Sequence, residues 1–260
     1  MNYLFNNHFK IKLMFLLLVL FLPVNIFSSI SSNQSEINLI IKGQGDINIL
    51  SETYYKDPLE VIVNNINKPL CNKSCNFDDE LNYVTIKFEG FINSSQNMFN
   101  GLTNIIDIDL SNLDTSKFIS MESMFKNCSN LEKITFGNIN TSSVINMNQL
   151  FYGCTQLTSI DLSNFDTSSV TTMHEMFLSC ETLTSLNVSR FNTKNVEDMY
   201  ELFSYCDNLI FINASNFDTS KVTIMQGMLY QCYALKYVDL SNFNTSLSTN
   251  FRSMFSMILH

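Results

Sequence analysis

Five of the seven cysteines, Cys128, Cys154, Cys180, Cys206 and Cys232, recur every 26 residues, a regularity that invites a metal or disulfide reading. A zinc site wants four nitrogen or sulfur ligands, and the only histidines are His8, His174 and His260. Pairing within an odd set of five would leave one over, and these positions read as buried free thiols packing as small hydrophobes. Cys71 and Cys75 stand apart, flanking Asn72-Lys73-Ser74. A short disulfide loop is expected there, with two free thiols as the alternative. Catalytic signatures are missing: no HExxH, no GxSxG and no GxxxxGK[ST] occurs, and Gly43-Gln44-Gly45 is too short to cradle a phosphate. The chain is therefore not read as an enzyme, and no cofactor or metal is expected.

What remains is binding chemistry. One outward column of the repeat carries Asp109, Thr135, Asp161, Asn187, Asn213 and Asp239. Asp161 and Asp239 lie three repeats apart, roughly 14 Å at strand spacing, too far to share a calcium ion. In the neighbouring columns most residues are small and polar, but Ile210, Phe211 and Tyr237 gather on adjacent repeats. Such an apolar and aromatic cluster marks an interaction site. Burial under a C-terminal element, or self-association, is the alternative. The candidate binding face is thus Ile210, Phe211, Tyr237, Asp109, Asp161 and Asp239.

The elements that carry these columns follow from the repeat itself. Phe99, Phe125, Phe151, Phe177, Phe203, Leu229 and Phe255 keep the 26-residue step, as do Thr115, Thr141, Thr167, Thr193, Thr219 and Thr245. In one copy, Leu157 to Cys180, Ile160 and Leu162 alternate with Ser159 and Asp161, the period of a half-buried strand. Ser163 to Ser168 is rich in turn and cap formers. Val170, Met173, Met176, Phe177 and Cys180 then recur at steps of three and four, which predicts one face of a short helix. A unit of this size cannot cover its own apolar face, so copies must stack. An Asn column (Asn112, Asn138, Asn164, Asn216, Asn242) is expected to form a buried ladder at the corner.

The string Ile160 to Cys180, IDLSNFDTSSVTTMHEMFLSC, closely resembles the 26-residue repeat of BspA-like leucine-rich surface proteins. The resemblance covers roughly residues 84–260. It implies export, a place at the cell surface and, in several members, adhesion. The expected fold class is α/β: a right-handed leucine-rich-repeat-type solenoid, with a parallel sheet on the concave side and short helices on the convex side. Residues 31–83 lack the period, show short strands at Ile37 to Ile41, Ile47 to Leu50 and Leu59 to Val63, and are read as an N-terminal cap.

Lys10 and Lys12, the apolar run Leu13 to Leu22 and the small residues Ser28 to Ser32 read as a signal peptide over residues 1–30. An uncleaved signal anchor is the alternative, and membrane contact is expected only through that segment. The net charge of −9 comes without any cluster of Lys or Arg in the body of the chain, which argues against nucleic acid. Asn33, Asn72, Asn93, Asn127, Asn140, Asn187, Asn213 and Asn244 each begin an Asn-x-Ser/Thr sequon. The expectation is a secreted or cell-surface module that binds an extracellular protein or glycan. A self-associating coat protein is the second reading. The chain stops at Ser256 to His260, with Ile258 in the cysteine register and no polar cap.

Overall fold

The structure is a computed structural model and describes residues 34–256. The signal peptide read at 1–30, His8, Asn33 and the final residues Ile258 to His260 lie outside the described residues. The N-terminal strands are β1 (Gln34–Lys42), β2 (Gly45–Asn48), β3 (Glu60–Val63), β4 (Ile66–Asn67), β5 (Ser74–Phe77) and β6 (Leu81–Glu89). Short strands β7 (Ile105–Asp109), β8 (Lys133–Thr135), β9 (Ser185–Asn187), β10 (Phe211–Asn213) and β11 (Tyr237–Val238) follow, at the same register of the repeat but skipping the copy between β8 and β9.

β1 alternates as its sequence requires, with Ile37, Leu39 and Ile41 buried and the residues between them turned outward. It pairs antiparallel with β6 on one side, whose Val84, Ile86 and Phe88 are also buried. Its other edge pairs antiparallel with β7, the first strand of the repeats, with a bulge between Ile40 and Ile41. The open amide edge of the first repeat is thereby closed by hydrogen bonds. The resulting sheet runs β4-β3-β6-β1-β7-β8, and only its β7–β8 pair is parallel. A second, three-stranded parallel sheet runs β9-β10-β11. β6 crosses the boundary drawn at residues 83 and 84.

The α/β solenoid class is not what forms. Among the described residues there is no helix, the larger sheet is mostly antiparallel, and residues 157–162, where Ile160 and Leu162 predict a strand, form none. The reason lies in the backbone of the expected helix. In Val170 to Cys180, Glu175 and Ser179 adopt left-handed φ values of 53° and 58°. A left-handed residue every fourth position interrupts the i to i−4 bonds of a helix. The amides of Met173, Glu175, Phe177 and Ser179 instead donate sideways to Asp198, Tyr200, Leu202 and Ser204 of the next repeat, at 3.0, 2.8, 3.0 and 2.9 Å. Met176, Leu178 and Cys180 donate three residues back, each at 3.2 Å, closing successive turns. The sideways bonds recur from Ser95 through Gln231, in each copy that has a described successor. With no helix among the described residues, the expected convex layer of helices is absent there.

Stacking between repeats rests on three ladders. Phe99, Phe125, Phe151, Phe177 and Phe203 stack ring on ring, with centroids 5.8, 5.6, 5.4 and 5.7 Å apart. Single parallel bridges link Ser94, Ser120, Asn146, Thr172, Asp198, Ile224 and Asn250 in turn. The third ladder is the buried threonine column. Thr167 Oγ1 accepts the Asn192 amide at 2.8 Å and donates to the Asn192 carbonyl at 3.1 Å. Thr141, Thr193 and Thr219 do the same for Asp166, Asp218 and Asn244. The asparagine column differs from expectation, because its members are exposed. Asn164, Asn216 and Asn242 nonetheless donate to the carbonyls of Gly137, Ser189 and Ser215 in the preceding repeat.

Candidate binding face

β9, β10 and β11 bury Leu186 and Ile212 beneath them, so period-two alternation turns residues 185, 211 and 237 outward. Parallel pairing sets Phe211 against Ser185 on one side and Tyr237 on the other. The Phe211 and Tyr237 rings stack with centroids 5.6 Å apart and planes 13° from parallel. Ile210, Phe211 and Tyr237 are 43, 40 and 55% exposed, so no described element covers them. The structure thus brings these three residues together.

It does not bring the three aspartates to them as a set. Asp109, Asp161 and Asp239 sit on three separate repeats, and each turns Oδ1 back onto the backbone amide two residues on. Those bonds, to Ser111, Ser163 and Ser241, measure 2.8, 2.9 and 2.9 Å. Asn187 and Asn213 hold Ser189 and Ser215 in the same way. These are the self-bonding corners that Asx residues build. Bonds from the Ser163 amide and hydroxyl hold the Asp161 carboxyl below its ordinary range, and bonds from the Ser241 hydroxyl and amide do so for Asp239. The copy with Thr135 in this column has Gly137 where the others have serine, at φ 59°. A Cβ there would lie 2.7 Å from Ser111 Cα. The Ser189 and Ser215 hydroxyls also donate to Asn187 and Asn213, so the sequons at these sites coincide with what the corner needs.

The cysteine column is buried, and its thiols are free. Each Sγ donates to a phenylalanine carbonyl of the preceding repeat, as Cys180 does to Phe151 at 3.2 Å. Burial pushes the Cys128 and Cys232 thiols up to about 12, and raises Cys154, Cys180 and Cys206 as well. Cys71 and Cys75 are joined as a disulfide. Among the described residues no group of three or more His, Cys, Asp or Glu is placed to hold a metal ion.

One polar cluster is not visible in the sequence pattern. His174 Nδ1 lies 3.0 Å from Asp198 Oδ2, and its Nε2 lies 3.6 Å from Glu175 Oε1. Its ring stacks on Tyr200 at 4.7 Å. The Asp198 hydrogen bond raises the histidine pKa, outweighing the opposing effect of burial. Residues 174 and 198 fall 24 apart, and the fold brings one repeat's charge beside the next.

Depressions of about 450 Å³ beside the Cys71–Cys75 loop and about 390 Å³ beside Gly43 both lie away from the ring pair.

A family model described as "Mycoplasma protein of unknown function, DUF285" matches residues 93–210 and 179–259. Together these matches span more than half of the chain. The chain belongs to the DUF285 family. The matched region of this DUF285 protein takes in the repeats from Asn93 onward, including Phe211 and Tyr237. No curated protein and no solved structure matches the chain.

Proposed function

We propose that this DUF285 protein is an exported binding module of the BspA-like kind, which engages an extracellular protein or glycan through the outward face of β9 to β11. The observation that carries this reading is the Phe211–Tyr237 stack, held open to solvent on a hydrogen-bonded ladder beside the exposed Ile210. Exposed aromatic side chains bring large contact area at little entropy cost, which is why they dominate binding hot spots. Phe211 is fixed by pairing on both edges of β10 and Tyr237 by pairing of β11 with β10, so little ordering is left to do on binding. Export rests on the basic and apolar pattern of residues 1–30.

The test is binding of the full chain to immobilised matrix proteins, glycans and whole cells, against a Phe211→Ser/Tyr237→Ser double variant of equal thermal stability. A loss of tenfold or more in the variant supports the reading. Equal binding by both, or none by the wild type, refutes it. Concentration-dependent self-assembly without a foreign ligand would favour the coat-protein reading instead.

A further inference from the structure

The aromatic column of the face stops at Phe211. One side of that ring is covered by Tyr237, but the residue paired with it across β9 is Ser185, and Ser159 holds the same position one repeat earlier. The ring therefore keeps one open side, standing above a hydroxyl where a third ring would continue the stack. We infer that this step is a sugar-binding subsite. It takes a neutral hexopyranose, laid against the open side of Phe211 in the place a third ring would fill. The inference rests on the binding-face reading above and narrows it to a ligand class.

Three observations select the sugar. A pyranose has one face of C–H groups that pack on the electron-rich face of an aromatic ring and a rim of hydroxyls that need partners. Its thickness is close to one strand step, roughly 4.8 Å. The rim partners are at hand: Ser185 is exposed, and Asn187, also exposed, spends its Oδ1 on Ser189 and keeps its two amide hydrogens for a ligand. The aromatic side chain of a peptide would fit poorly. It would find one apolar wall, and it would leave those hydroxyl and amide groups desolvated without partners. Charge disfavours acidic sugars: the chain carries −9, Lys133, in the same column, is paired with Asp107 at 3.3 Å, and the exposed Lys236 precedes β11, on the far side of the stack from the step.

The test uses the full chain with methyl β-D-galactopyranoside as the probe, read by saturation-transfer NMR. N-acetyl-tyrosinamide and the corresponding uronic acid glycoside serve as comparators. Two variants bear on it: Ser185→Phe, which continues the stack and fills the step, and Phe211→Ser, which removes the wall. If one fails to fold by circular dichroism, the other carries the test. The expected result is transfer strongest at the H3, H4 and H5 protons of the neutral glycoside, at least tenfold weaker in each folded variant. No transfer in the wild type, undiminished transfer in Ser185→Phe, or preference for N-acetyl-tyrosinamide or the uronic acid overturns the inference. Should the wild type ignore the sugar yet bind matrix proteins in a way that Phe211→Ser/Tyr237→Ser abolishes, the sugar subsite falls and the binding face stands.

Discussion

Replacing Thr167 by valine removes one hydroxyl and almost nothing else. The residue is 1% exposed, and valine matches its shape. The lost oxygen accepts the Asn192 amide and donates to the Asn192 carbonyl, at 2.8 and 3.1 Å. Both backbone groups lose their partner at once. A stranded buried donor or acceptor costs about 1–3 kcal/mol. The Asn192 side chain is exposed, so water reaches part of the way and the low half of that range applies. The expected loss is about 2–4 kcal/mol, or roughly 5–15 °C in Tm for a chain of this size. Thr167→Ser keeps the hydroxyl and gives up one methyl group, which costs about 1 kcal/mol. The assay is chemical denaturation of the three proteins, with amide exchange to localise the effect. Protection should fall most in the repeats that hold Thr167 and Asn192, because each repeat leans only on its neighbours. A valine variant within about 1 kcal/mol of wild type, or no worse than the serine variant, would refute the ladder as a source of stability.

Phe177→Ala opens a cavity between two stacked rings and should cost about 3–5 kcal/mol; an unchanged Tm would remove Phe177 from the core. The five thiols of the cysteine column, with pKa values raised by burial, should resist alkylation at neutral pH until the chain unfolds, and rapid labelling of the native protein by iodoacetamide would contradict their placement. His174 has a folded pKa above its ordinary 6.5, chiefly through Asp198. Its contribution to stability is therefore fully present below pH 6.5 and is lost as pH rises through the folded value. A pH series of Tm should show wild type losing ground to His174→Asn as the pH rises above 6.5, and parallel curves would dismiss the pair.

The repeat was legible because burial is written in residue type. Phe177, Cys180 and Thr167 recur every 26 residues and are all buried in the structure. The local conformation was not legible from the same pattern. Apolar steps of three and four at Met173, Met176, Phe177 and Cys180 suit a helix, but two consecutive turns put the same residues on one side. The deciding information sat in other columns. Asn97 and Gly227 share the register of Glu175, while Gly101, Asn127 and Gly153 share that of Ser179, and all five adopt positive φ. Glycine and asparagine tolerate that conformation best, but Glu175, Ser179 and Tyr205 in the same registers hid the signal. For the face, Phe211 and Tyr237 could be placed by alternation alone. The corner role of Asp161 and Asp239 could not, because it depends on an amide two residues on rather than on a neighbouring repeat.

The central claim is that the Phe211–Tyr237 face meets the outside of the cell, and Lys236, exposed beside Tyr237, reports on it directly. Intact cells producing the full chain would be treated with a membrane-impermeant amine-reactive biotin, and the Lys236 peptide identified by mass spectrometry. Labelling of Lys236 on intact cells, at a level that lysis does not increase, is the predicted result. Labelling that occurs only after lysis would contradict it and leave the face inside the cell.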